Sequence, residues 1–293
     1  GGVFPPYEDS YPSKKEKGLE TQAQMIDLLE VNSGLMATFF EDLHRFKSKA
    51  KEAAKALADA GQTGVDLNQQ ALVGKQAYIF QIKDRLDFLE YILSHSPLVL
   101  QAPQIDAFWA SVIVDALTLE ERDHGFLWVQ NVRNSQQFQA ITEESTQYIF
   151  EQKVPLMDFS ALTQKGFHFF EYFFRYVNWF LKRFDQGDNG VFRVLNFDLV
   201  GIDNAWRAAV EPKDDSVAMQ AIEFLNKLHK TVPPYPVQQS DRFVSFCFAD
   251  VAWDSIADLG RAAAQAGRVA REARGDVHGL HRRCVCQGTL TYA

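Results

Sequence analysis

An all-α chain of stacked helices is what this sequence predicts, and three observations carry that prediction. First, Gly166 to Phe184 reads GFHFFEYFFRYVNWFLKRF. At about 100° per residue, His168, Glu171, Arg175, Asn178 and Lys182 fall on one stripe, and aromatic or aliphatic side chains fill the rest of the circumference, with Arg183 the charged exception. A surface helix needs one apolar face, so a helix apolar on three sides calls for covering neighbours before and after it. Second, helical patterns follow one another along the chain with short breaks and no alternating strands. Third, an apolar share of 46%, with 24 phenylalanines in 293 residues, is ample for a core of one large domain or two ordinary ones.

Charge and cysteine usage narrow the function classes. A formal charge of -8 argues against nucleic acid as the main partner, because phosphate binding needs a basic face. Cys247, Cys284 and Cys286 are too few and too clustered for a secreted disulfide framework. A reducing intracellular compartment, the cytoplasm first and the nucleus second, is therefore expected. No apolar run of about 18 residues would span a bilayer, and no basic-then-apolar signal peptide opens the chain. The start at Gly1-Gly2 without Met leads us to expect a piece of something longer, an incomplete gene product or a processed start.

Residues 1 to 20 carry Pro5, Pro6, Pro12 and the charge run Lys14 to Lys17, which reads as an extended lead-in. A helical-repeat domain is expected from 21 to 253. Thr21 caps a segment in which Ala23, Ile26, Leu29 and Leu35 recur at helical spacing; Phe39, Phe40, Leu43, Phe46 and Leu57 continue it to the break at Gly61 to Gly64. A second pattern runs from Gln70 to His95, with Tyr78, Ile82, Leu86, Leu89 and Leu93 on one face, and stops near Ser96-Pro97. Pro103 fits the first turn of a helix with Ile105, Phe108, Trp109, Val112 and Ile113. Thr118 to Glu121 has the capping-box form and introduces Phe126, Leu127, Val129 and Val132. Thr142 to Ser145 offers another cap, before Pro155, and Asp158 or Ser160 starts the approach to the aromatic helix. Beyond it lies a polar turn, Gln186 to Gly190. Val191 to Phe197 is strand-like, but a lone short strand among helices reads as a connector. Leu199 to Val210 and Val217 to Lys230 form a helix pair divided at Pro212, and a last aromatic segment spans Phe243 to Trp253.

A faint internal echo favours a repeated unit. Leu86 to Ile92 and Ile222 to Leu228 share the pattern aliphatic, acid, Phe, Leu, polar, any, aliphatic, at a separation close to three units of the roughly 40 to 47 residues of armadillo or HEAT repeats. We therefore expect an armadillo/HEAT-like solenoid over a closed bundle. From 254 to 293 the style changes, with Arg261, Arg268, Arg271, Arg274, Arg282 and Arg283 among alanines and glycines. That stretch reads as a basic surface helix, a disordered tail, or sequence outside the domain, with the last two preferred for want of apolar residues at core spacing.

The search for chemistry returns no reactive centre. His278, His281, Cys284 and Cys286 are four zinc-ligand types in one tight segment, whereas zinc sites usually join two pairs across a longer loop. Exposed residues are the simpler account. Cys247, between Phe246 and Phe248, reads as a buried thiol. His124 follows Glu120, Glu121, Arg122 and Asp123, where acids in a first turn complement the helix dipole. No Gly-rich phosphate loop, Gly-x-Ser-x-Gly elbow or Cys/His nucleophile motif is present. Neither a cofactor nor a metal is expected. Trp109, Trp128, Trp179 and Trp206 suit core or groove lining better than a partner's hot spot. The stripe of His168, Glu171, Arg175, Asn178 and Lys182 remains as a candidate interaction ridge.

Several stretches resemble the helical region outside the catalytic domain of the large fat-facets-type ubiquitin-specific proteases. They are Leu98 to Trp109 (LVLQAPQIDAFW), Leu117 to Trp128 (LTLEERDHGFLW), Gly166 to Asn178 (GFHFFEYFFRYVN), Asp198 to Trp206 (DLVGIDNAW), Gln220 to Leu228 (QAIEFLNKL) and, faintly, Asp241 to Cys247. Together they cover roughly 70 to 249, with the first 60 residues and the tail outside. The most specific is Asp-Leu-x-Gly-Ile-Asp-x-x-Trp followed by Ala-Ile-x-Phe-Leu. The resemblance implies an armadillo-like arm of a thiol-dependent ubiquitin hydrolase. The family's Gly-Asn-Thr-Cys and His-Tyr boxes do not occur here, so none of its catalytic residues carries over. Implied partners are proteins, among them ubiquitinated substrates or the catalytic domain of a parent chain. The competing expectation is a stand-alone armadillo-like adaptor unrelated to ubiquitin.

Overall fold

The computed structural model describes residues 14–230, apart from 63, 136–138, 187–191 and 197. The aromatic segment 243 to 253, the arginine-bearing tail, all three cysteines, His278 and His281 lie outside the described residues. Two compact units divide the chain. One comprises Gly1–Met157 with His168–Val177, the other Asp158–Phe167 with Asn178–Ala293.

The first unit begins with α1 (Lys14–Ser33) and α2 (Leu35–Asp59). The charge run from Lys14 therefore opens a helix, which corrects the extended lead-in expected to residue 20, and Thr21 lies inside α1 where we expected a cap. The break falls instead at Gly34, whose φ of 59° is a conformation that L side chains rarely adopt. Glu30 then reaches across the break, its carboxylate accepting from the Met36 N–H at 2.8 Å. Gly61 and Gly64, both at positive φ, end the α2 region as expected. Helix α3 (Tyr78–Ser94) starts later than its apolar pattern, because a 3-10 turn at Leu67–Gln69 and a positive-φ Gly74 occupy the stretch before it.

Helix α4 (Ala102–Phe108) runs into a π-helical turn, Trp109–Val114. Opposite that turn, α5 (Leu119–Asn134) presents Gly125, where an added Cβ would lie 2.7 Å from Val112 Cγ1 and 2.8 Å from Ile113 Cδ1. Glycine is what lets these two elements close. Thr142 caps α6 (Glu143–Tyr148), its hydroxyl accepting from Ser145 N at 3.1 Å, and a second π turn follows at Ile149–Lys153. In this unit α1 packs on α2, α2 on α3 and α4, α3 on α5, and α4 on α6. The shared interior is aromatic: Phe108 stacks on Trp128 at 4.9 Å, and Phe126 on Phe169 at 4.8 Å. Trp128 also satisfies its indole by donating to the Leu86 carbonyl at 3.0 Å.

The aromatic helix is α7 (Gln164–Phe180). Its middle belongs to the first unit and its ends to the second. In the second unit Phe167 meets Phe224 edge-on at 6.2 Å, and Arg207 lies 4.4 Å over the Phe159 ring. Val191 to Phe197, expected as a connector, contains a strand. Phe192–Val194 (β2) pairs antiparallel with Phe184–Gln186 (β1), Phe184 opposite Val194. This hairpin ladder supplies the partner that a lone strand lacks, while 187–190 of the expected polar turn lie outside the described residues. Helices α8 (Ile202–Val210) and α9 (Asp215–Lys230) pack as the expected pair, bringing together the fully buried Ala205, Ala208 and Ala221. Among the described residues the architecture is all-α apart from this hairpin, and no helix is long and apolar enough to cross a membrane.

Candidate functional site

The predicted ridge on α7 divides into three environments. His168 is exposed, while Glu171 and Arg175 are partly covered and form an i,i+4 ion pair. Their phase is set by the opposite side of the helix, where Phe169, Phe170, Phe173 and Phe174 are fully buried. The half-buried rim between the two sides is held by Tyr172, which donates to Asn134 Oδ1, and by Tyr176, whose ring lies 4.1 Å below the Arg133 guanidinium.

Asn178 does not belong to an exposed ridge. It is fully buried, with Nδ2 donating to the Val200 carbonyl at 3.0 Å and Oδ1 accepting from the Val200 N–H at 2.9 Å. A side-chain amide matches a backbone amide donor for acceptor, so this one residue pins the segment leading into α8. Asn178→Ala is expected to cost about 1 to 3 kcal/mol, because the part-buried Val200 N–H and carbonyl both lose their partner. Denaturant unfolding checks it; a loss below about 0.5 kcal/mol, the size of a surface change, would contradict the clamp.

Lys182 also leaves the stripe, because α7 ends at Phe180. Lys182 takes φ 55°, its N–H donating to the Trp179 carbonyl at 2.9 Å while Arg183 N donates to the Asn178 carbonyl at 2.8 Å. That pattern closes the helix in the manner usually given to glycine. The same end leaves Trp179 and Phe180 exposed, at 51% and 40%, where their pattern predicted cover. Trp109 and Trp128 are buried as expected.

A charged cluster deep in the first unit escaped the sequence reading. Lys47 Nζ on α2 donates to Tyr78 OH at 2.7 Å and to Glu121 Oε1; Tyr78 OH and the Leu117 N–H each donate to Glu121 Oε2 at 2.7 Å. Glu121 and Tyr78 are fully enclosed and Lys47 is 5% exposed. The Tyr78 ring stacks on Phe46 at 5.8 Å, and the Arg85 guanidinium lies 4.0 Å from the Phe46 ring centre. Burial pushes the Glu121 carboxyl up and the Lys47 ammonium down, in each case against their mutual attraction. The Tyr78 phenol is pushed far up by burial and by the Glu121 charge. With no opening to solvent, the cluster serves to tie α2, α3 and the start of α5 together. The Thr-x-x-Glu pattern hid it: Thr118 does cap α5, accepting from Glu121 N at 3.1 Å, but the glutamate turns inward. Lys47 carried a signal, since it stands four residues after Leu43, on the buried stripe of α2.

Among the described residues no cluster of His, Cys, Asp and Glu could hold a metal ion. What the fold and its surfaces define is a run of stacked helices of the helical-repeat class. The family model described as "UBP24/USP9X/USP9Y ARM repeat" matches residues 4–178. The chain belongs to that armadillo-repeat family. Similar proteins include mouse ubiquitin carboxyl-terminal hydrolase 9X, 25% identical over 76% of this chain and 9% of the relative. The probable ubiquitin carboxyl-terminal hydrolase FAF of Drosophila melanogaster is 24% identical over 72% of this chain and 7% of its own. Human ubiquitin carboxyl-terminal hydrolase 24 is 26% identical over 58% and 6%. The chain thus spans less than a tenth of these relatives. The match also starts at residue 4, which corrects the expectation that the first 60 residues stand outside the resemblance. Those residues are charged and alanine-rich, so their kinship rests on pattern more than on distinctive words.

Proposed function

We propose that this chain is a non-catalytic armadillo-type scaffold segment of a large ubiquitin carboxyl-terminal hydrolase, presenting partner or ubiquitinated proteins to a catalytic domain carried elsewhere. The observation that supports this most is the family match over 4–178, to the repeat region and not to a hydrolase domain. Stacked helices add surface without needing a reactive group, which suits positioning. The exposed His168 and the Glu171–Arg175 pair on α7 are proposed as part of that surface; Asn178 and Lys182 are not. The cysteine usage supports an intracellular setting, the cytoplasm or the nucleus. An adaptor with no kinship to these hydrolases is set aside by the match.

The test is a comparison in mouse hydrolase 9X. Deleting the segment that aligns with this chain should leave cleavage of a small ubiquitin–fluorophore conjugate unchanged and reduce capture of ubiquitinated proteins. Equal loss of both would point to a direct part in catalysis. The purified chain should not cleave the conjugate alone; turnover by it would overturn the proposal.

A further inference from the structure

A groove on the first unit has the chemistry of a docking site for one kind of polypeptide. It lies between α2 and α3, encloses about 330 Å³, and has Leu35, Phe39 and Phe88 as its apolar lining. Phe88 stays 49% exposed although its ring stands 6.3 Å from that of Phe39. The same stripe of α3 also shows Phe80 at 50% and Tyr91 at 44%, so aromatic surface continues along the helix beyond the groove.

The rim of this surface is acidic. Asp84 lines the groove, and Asp87 follows on the exposed side of α3. The nearby cations are already engaged. Arg85 pairs with Asp42 at 3.2 Å and lies over Phe46, and Lys83 turns to Glu120 at 3.2 Å. Among the described residues no cation pairs with Asp84 or Asp87. Exposed aromatics beside unneutralised carboxylates complement a segment that carries apolar anchors and positive charge together.

We propose that the α2–α3 groove binds a basic amphipathic segment of a partner protein, its aliphatic or aromatic anchors entering between Leu35, Phe39 and Phe88 and its lysines or arginines meeting Asp84 and Asp87. This rests on the scaffold function proposed above and adds the place and the partner's chemistry.

The probe is a short labelled helix-forming peptide with leucines at every third and fourth position and lysine or arginine between them, titrated against the full chain by fluorescence anisotropy. A control peptide has glutamate at every basic position. The basic peptide should bind at least about tenfold tighter than the acidic one, weaken as salt rises, and lose about tenfold or more in the variant Asp84→Lys/Asp87→Lys and again in Phe88→Ala. All three positions are exposed, so unchanged thermal melts establish that these variants fold. Equal binding of the two peptides, or binding untouched by the variants, overturns the proposal. So does a concentration-dependent dimer that Phe88→Ala abolishes, which would assign the groove to a second copy. Binding that emerges only after charge reversal of Arg268, Arg271 and Arg274 would assign it to this chain's own basic stretch and equally overturn a partner. The 9X deletion reports on scaffolding whichever way the peptide behaves, so the two failures are distinguishable.

Discussion

Phe173→Ala is expected to lower the unfolding free energy by about 3 to 5 kcal/mol, the loss typical of truncating an enclosed phenylalanine. Phe173 has no exposed surface, and its ring stands 4.5 Å from Phe169 and 5.4 Å from Tyr172. Removing it opens a cavity whose walls are other rings, and rings held on one helix cannot collapse into the gap independently. Two residues on, Arg175→Ala should stay within about 0.5 kcal/mol, because a helix-surface i,i+4 pair contributes only about 0.3 to 0.5 kcal/mol. The Arg175 side chain is 40% exposed and its partner Glu171 23%, so solvent screens much of their attraction. Thermal melts of the two variants decide the orientation of α7. Equal shifts would mean that the aromatic side is not the buried one.

The phase of α7 was legible because His168, Glu171 and Arg175, at spacings of three and four among aromatic residues, leave a helix little choice of inner face. Its end was not. Helices usually stop at glycine or proline, and here Lys182 adopts the left-handed turn without either signal. The hairpin escaped for a related reason: short strands take their stability from a partner, and Phe184–Gln186 sits where helical periodicity is still running. Gly34 was readable in principle, but one glycine inside a helical pattern is as often tolerated as it is a break. At the candidate ridge, spacing placed His168, Glu171 and Arg175 correctly on the outer side, yet it could not tell that Asn178 turns to a backbone supplied by residue 200. Long-range hydrogen bonding leaves no periodic trace. The same limit concealed the pairing of Lys47 with Glu121, 74 positions apart.

That pairing leads to the other large effect. Glu121→Ala should cost about 3 to 5 kcal/mol, since it strands the Lys47 ammonium in a space that excludes water. Replacing both, as Lys47→Met/Glu121→Leu, removes the stranded charge but leaves the Tyr78 hydroxyl and the Leu117 N–H without their acceptor, so it should cost less than Glu121→Ala alone. The pH dependence follows from burial outweighing attraction at both groups, with Asp115 adding attraction to Lys47 and Lys51 adding repulsion. A carboxyl raised on folding holds its proton longer in the folded chain, so stability falls as pH rises from the ordinary glutamate range through the raised value of Glu121. A lowered lysine sheds its proton earlier when folded, so stability climbs again as pH rises from the lowered value of Lys47 to the ordinary lysine range. The stability of the double variant relative to the natural chain should therefore be highest between those two windows and fall toward both acid and alkali. Denaturant unfolding across a pH series measures it. A relative stability that rises toward acid would mean that the salt bridge holds Glu121 ionised more firmly than burial resists it, and that the cluster stabilises the helices by charge.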